Sequence, residues 1–177
     1  MQFISSISFV SALLLLGPAA AVDITFYNGS SANCGGEPVL TIRSAQAATC
    51  YTAYERMPTS VQISSVPLGA GARAYNQSNC GTASQAANGD SCLSAGGSVR
   101  AANWSYNIRG SGPSLMRKTP DVEPRFSVTY EQPGGGLREV EVPSGHVRHA
   151  LGLVEARDYN ALAEYPTVRI TSYFNLT

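Results

Sequence analysis

Ile24-Thr25-Phe26-Tyr27-Asn28 leading to Cys34-Gly35-Gly36, and Ala72-Arg73-Ala74-Tyr75-Asn76 leading to Cys80-Gly81-Thr82, are the two stretches on which the fold turns. Both carry a strand-like segment ending in Tyr-Asn, a short polar gap and a Cys-Gly pair. In each case a second cysteine follows, Cys50 or Cys92, and then an alternating segment, Val61-Gln62-Ile63-Ser64 or Val99-Arg100-Ala101-Ala102. Landmarks recurring in one order indicate an internal duplication, with repeat one over 23–66 and repeat two over 70–104. Each repeat reads as a hairpin with Gly-rich turns, completed by a third and a fourth short strand. Such a unit buries too little apolar surface to stand alone, so two of them are expected to pack face to face as a minimal sandwich.

Four cysteines, Cys34, Cys50, Cys80 and Cys92, are an even set that predicts two disulfides in an oxidising compartment. Local pairing, Cys34 with Cys50 and Cys80 with Cys92, would close one loop inside each repeat. Pairing across the repeats, Cys34 with Cys80 and Cys50 with Cys92, is the alternative. Zinc is disfavoured because no Cys-x-x-Cys or short Cys/His spacing occurs.

The opening Ile-Thr-Phe-Tyr, the six-residue gap and Cys-Gly-Gly resemble the first strands of a βγ-crystallin Greek-key motif, and small secreted fungal proteins of that style with cysteine in place of an aromatic. The resemblance covers residues 23 to about 104 and implies an all-β, antiparallel sandwich of two Greek-key-like repeats. It also implies a fungal, effector-like protein. The Asn/Asp and Ser/Thr-Ser signature of calcium-binding members is absent. Asn88-Gly89-Asp90-Ser91 comes nearest and reads as a tight turn.

Upstream of the repeats, the apolar run from Ile7 to Leu16, then Gly17, Pro18 and the small residues Ala19 to Ala21, predicts a secretory signal over residues 1–21. The remaining 22–177 are expected to form a single β-rich domain. Twelve basic and twelve acidic residues balance, and only Lys118 among the bases is a lysine. Without a field of one sign, neither nucleic acid nor an anionic membrane is an expected partner. Asn28 and Asn76 share a place in the repeats and head the N-glycosylation triplets, ahead of Asn103 and Asn175.

Downstream, residues 106–124 hold Gly110, Gly112, Pro113, Pro120 and Pro124 and read as an exposed loop. Arg125 to Glu131 and Leu137 to Val142 alternate around the turn Pro133-Gly134-Gly135-Gly136, which predicts a hairpin. Val154 to Tyr165 suggests a short helix, and Val168 to Phe174 a terminal strand. These elements are expected to add to the sandwich.

Chemistry is sparse. No Gly-x-Ser-x-Gly elbow occurs, and His146 and His149 lack a third ligand or triad partner nearby. The sequence therefore predicts a non-enzymatic binding protein without cofactor or metal. Its most suggestive surface is Leu115-Met116-Arg117-Lys118, set between Pro113 and Pro120. An apolar residue ahead of Arg would suit the cleft of a papain-like cysteine protease of the host, whereas a dibasic pair would also suit a processing protease. Two alternatives come from other classes. One is a cell-wall polysaccharide-binding module using Trp104, Tyr106 or Tyr159. The other is a small secreted hydrolase built on two carboxylates.

Overall fold

A computed structural model describes residues 21–29, 33–54, 56–106 and 122–171. Repeat one supplies β1 (Val22–Asn28), β2 (Glu37–Ala45), β3 (Tyr51–Thr52) and β4 (Ser60–Ser64), and repeat two supplies β5 (Ala70–Tyr75), β6 (Gln85–Asn88), β7 (Ser91–Leu93) and β8 (Ala101–Tyr106). The remainder forms β9 (Arg125–Glu131), β10 (Leu137–Val142), a 3₁₀ turn at Ser144–His146, α1 (Val147–Ala156), α2 (Tyr159–Leu162) and β11 (Thr167–Thr171). The strands make two antiparallel sheets, ordered β11-β10-β9-β2-β1-β4-β7 and β3-β8-β5-β6.

Within that order lies a twofold exchange. Repeat one places β2-β1-β4 side by side and receives β7 from repeat two, while repeat two places β6-β5-β8 side by side and receives β3 from repeat one. Register repeats as well: Tyr27 lies opposite Ser60 and Phe26 opposite Val61, just as Tyr75 lies opposite Ala101 and Ala74 opposite Ala102. The amides of Thr59 and Arg100 donate to the carbonyls of Tyr27 and Tyr75, at 2.9 and 2.8 Å. Val61 therefore corresponds to Ala102. The alignment of Val61 with Val99 is corrected by three residues, since Val99 precedes β8 and its amide donates to the Pro58 carbonyl.

The disulfides follow the exchange and overturn both expected pairings. Cys34 is bonded to Cys92 and Cys50 to Cys80. Cys50 immediately precedes β3, and β3 crosses to the other sheet, which carries the thiol away from Cys34 and beside the hairpin loop of repeat two. Cys92 in β7 makes the mirror journey. Each bond thus ties one repeat's hairpin loop to the strand lent by the other, and the twofold relation maps one bond onto the other. No cysteine is left free for a metal.

The core is built from the inward faces of both sheets. Ile24, Phe26, Leu40, Ile42, Val61 and Ile63 face Ala72, Ala102 and Trp104, all buried. Alternation in β1, buried at Val22, Ile24 and Phe26 and partly exposed between them, is the period of two that a half-buried strand requires. The small alanines of β5 and β8 leave room for Trp104, whose indole Nε1 donates to the Ala45 carbonyl at 2.8 Å.

The hairpin β9–β10 joins the same sheet through β2, with Leu40 opposite Val128 and Val128 opposite Val140. Its turn has φ of 98°, 88° and 98° at Gly134, Gly135 and Gly136, the left-handed backbone that glycine admits without a Cβ penalty. Because the four-stranded sheet is too narrow to cover β9 and β10, α1 takes its place, burying Val147, Ala150 and Leu151. The helical region thus starts earlier than the expected Val154, and it breaks at Arg157 into two helices.

Candidate functional site

A groove of about 640 Å³ opens where the end of the seven-stranded sheet meets the α1–α2 corner. That lies within the roughly 300–1,000 Å³ typical of ligand sites. Asn28, Glu37 and Pro38 reach it from β1 and β2, Tyr130 and Glu131 from β9, Arg56 from the segment after β3, and Glu155, Arg157 and Tyr159 from the helical corner.

That corner has its backbone held by capping bonds at both helix ends. Arg157 occupies the left-handed position after α1 (φ 56°), where its amide donates to the Val154 carbonyl at 3.2 Å and the Asp158 amide donates to the Leu153 carbonyl at 3.0 Å. These two bonds close the helix end in the Schellman manner. Asp158 then caps α2, its Oδ1 accepting from the Ala161 amide at 3.1 Å. Arg157 and Tyr159 thus flank a residue that is itself fixed.

Tyr159 is stacked on Tyr130, with ring centroids 5.8 Å apart and planes inclined by 23°. Tyr130 is buried and supports the stack, and Tyr159 is the partly buried ring that lines the groove. Burial pushes the Tyr130 phenol above its ordinary value, against the opposing pull of the Arg138 guanidinium. On the opposite side, Arg56 faces Glu155 at 3.6 Å, and Arg148 lies over the ring of Tyr54, 5.6 Å from its centroid. Residues 148 and 155 are two turns apart on one face of α1, so this face fastens the β3–β4 connection against the helix.

Among the described residues, those singled out from sequence are not brought together. Leu115, Met116, Arg117 and Lys118 lie in 107–121, outside the described residues, as does Asn175. Asn76 is exposed at the end of β5, Asn28 is half-buried at the groove, and Asn103 lies within β8, where its Oδ1 accepts from the Tyr75 hydroxyl at 3.1 Å. Trp104 is withdrawn as a surface aromatic, since it is fully buried, and Tyr106 packs edge-on against it at 5.6 Å. His146 and His149 are exposed near the start of α1. Asp90 serves the turn before β7, its Oδ1 accepting from the Val66 amide at 2.7 Å.

Sequence reading missed Arg56, Glu155 and Arg157, which carry no motif and meet only in space. It also passed over Asn33 and Asn79, although the signal was present in Asn33-Cys34-Gly35 and Asn79-Cys80-Gly81. In both loops the Asn Oδ1 accepts from the Gly amide, at 3.1 and 3.3 Å, and both cysteines have positive φ, 55° and 49°.

Comparison with known families places this architecture. The family model ARB_05566_N, an N-terminal domain of fungal type, matches residues 23–131. The chain belongs to that family. Its span takes in both repeats and ends with β9, so the groove is assembled across its boundary, from family residues on one side and the α1–α2 corner on the other. No crystallin family is shown for the chain. No curated protein and no solved structure matches the chain.

Proposed function

We propose that this protein is a secreted, non-enzymatic binding protein of fungal effector type, directed at an extracellular host protein. The observation that carries the reading is the pair of twofold-related disulfides. Such bonds persist in oxidising surroundings, and they tie each repeat's hairpin loop to the strand lent by the other repeat, which makes a scaffold suited to displaying a binding segment. Among the described residues no helix is long and apolar enough to cross a membrane. Residues 107–121 follow Tyr106 in one sheet and precede Arg125 in the other. A segment held at both ends by a rigid scaffold gives up less entropy on binding than a free one.

In its sharpest form, Met116 and Arg117 enter the cleft of a papain-like cysteine protease. Inhibition of such a protease by the purified protein, abolished in the Met116→Asp, Arg117→Glu double variant, is the expected result. Equal inhibition by both proteins, or none by either, would remove the protease from the reading.

A polysaccharide ligand is the second reading, and the Tyr130–Tyr159 stack beside the groove favours it. Of the three aromatics that sequence offered for this role, only Tyr159 retains a ring at the groove.

A further inference from the structure

We infer that the groove at the α1–α2 corner binds a neutral glycan chain, with Tyr159 as the stacking surface and Arg157 as a hydrogen-bonding clamp. This deepens the polysaccharide reading above and rests on it.

Three observations converge. The first is the stack itself. Tyr130 is 4% exposed and braces the partly buried ring of Tyr159, which lines the groove in a held position. A pyranose offers a face of C–H bonds to such a ring while its hydroxyls point outward to polar neighbours. Rigid aromatic rings supply this kind of contact at low entropic cost.

The second is charge. Glu37, Glu131 and Glu155 line the groove against Arg56 and Arg157, and Glu155 already faces Arg56 at 3.6 Å. Neither sign dominates. A polyanion would meet the carboxylates and a polycation the guanidinium groups, whereas a chain of hydroxyls can accept from arginine and donate to glutamate throughout.

The third is Arg157. The left-handed position after a helix favours glycine, because a Cβ there costs roughly 1 kcal/mol. Here that position holds an arginine whose exposed side chain lines the groove, two residues before the stacking tyrosine, on a backbone held by the caps on both sides of Asp158. A side chain kept where the backbone would do better without one points to a use for it.

The test is retention of the purified protein on insoluble β-glucan, cellulose and chitin, with a pectic polyuronate as the charged arm, followed by calorimetric titration with soluble oligomers of whichever polymer retains it. Binding to at least one neutral polymer is expected, with about a tenfold loss for Tyr159→Ala and retention for Tyr159→Phe. Arg157→Gly keeps the left-handed backbone and removes only the side chain, so it should stay folded and lose affinity several-fold. Retention on the polyuronate alone, on no polymer, or undiminished in both Tyr159→Ala and Arg157→Gly would overturn the proposal. The Met116→Asp, Arg117→Glu variant separates this inference from the protease reading. It should keep glycan binding intact, and its loss would move the site out of the groove.

Discussion

Trp104 shows how much of this fold rests on single side chains. It is sealed between the sheets, and its indole donor satisfies the Ala45 carbonyl at the end of β2. Trp104→Phe would leave a void and remove the indole's bond to the buried Ala45 carbonyl together. A loss of ~2–4 kcal/mol is expected, readable as a lower urea midpoint by circular dichroism. Gly36 is constrained differently, because a Cβ there would lie 1.8 Å from the Asn28 carbonyl oxygen. Gly36→Ala must push the first hairpin open at a cost of ~3 kcal/mol or more, and a variant as stable as the parent would contradict this geometry. On the outer face, the Arg43 guanidinium bridges the fully buried Ser127 and Glu139, across β2, β9 and β10. Its value lies in joining the added hairpin to repeat one, since without it the largely buried Glu139 would lose its 2.6 Å ion pair.

At the scale of elements, the exchange of β3 and β7 is the organising event. Each lent strand is short, two residues for β3 and three for β7, and neither could hold its place by backbone bonds alone. Disulfides at Cys50 and Cys92 fix them to the opposite hairpin loops. The loops closed span separations of 58 and 30 residues, so the chain-entropy relation gives each bond roughly 4 kcal/mol. Two predictions follow from the symmetry. Mass spectrometry of unreduced tryptic peptides should recover Cys34 joined to Cys92 and Cys50 joined to Cys80, and either local pairing would refute the exchange. Paired Cys→Ser variants of the two bonds should lose comparable stability, whereas a large inequality would mean that the lent strands are not equivalent.

Over the whole molecule, burial of phenols adds an alkaline component to the response to pH. Tyr27, Tyr51 and Tyr130 all have pKa values raised from 10.0, chiefly by desolvation. A group with a higher pKa in the folded state contributes stability that is complete below its unfolded pKa and disappears as pH rises through the folded one. From these groups stability should hold level up to about pH 10 and decline above it. Urea midpoints across the alkaline range would check this, and a rise there would contradict it. The tail belongs to the same balance. Truncation after Glu131 would strip β10 and α1 from Val128 and leave β9 as an edge, so increased dye binding to exposed apolar surface is expected relative to the full chain.

Strand period, glycine turns and the doubled Tyr-Asn and Cys-Gly landmarks are local properties, and from them the all-β class, the duplication, and the β9 and β10 limits could be read from the chain alone. Disulfide partners could not, because pairing depends on which sheet a strand enters, and Cys50 and Cys92 are carried across by strands whose sequence is ordinary. Nor could the groove, whose Arg56, Tyr130 and Tyr159 come from distant segments with no shared motif. Packing in three dimensions chose their neighbours: the second sheet is too narrow to cover β9 and β10, a helix must finish the layer, and its far corner meets the sheet's end.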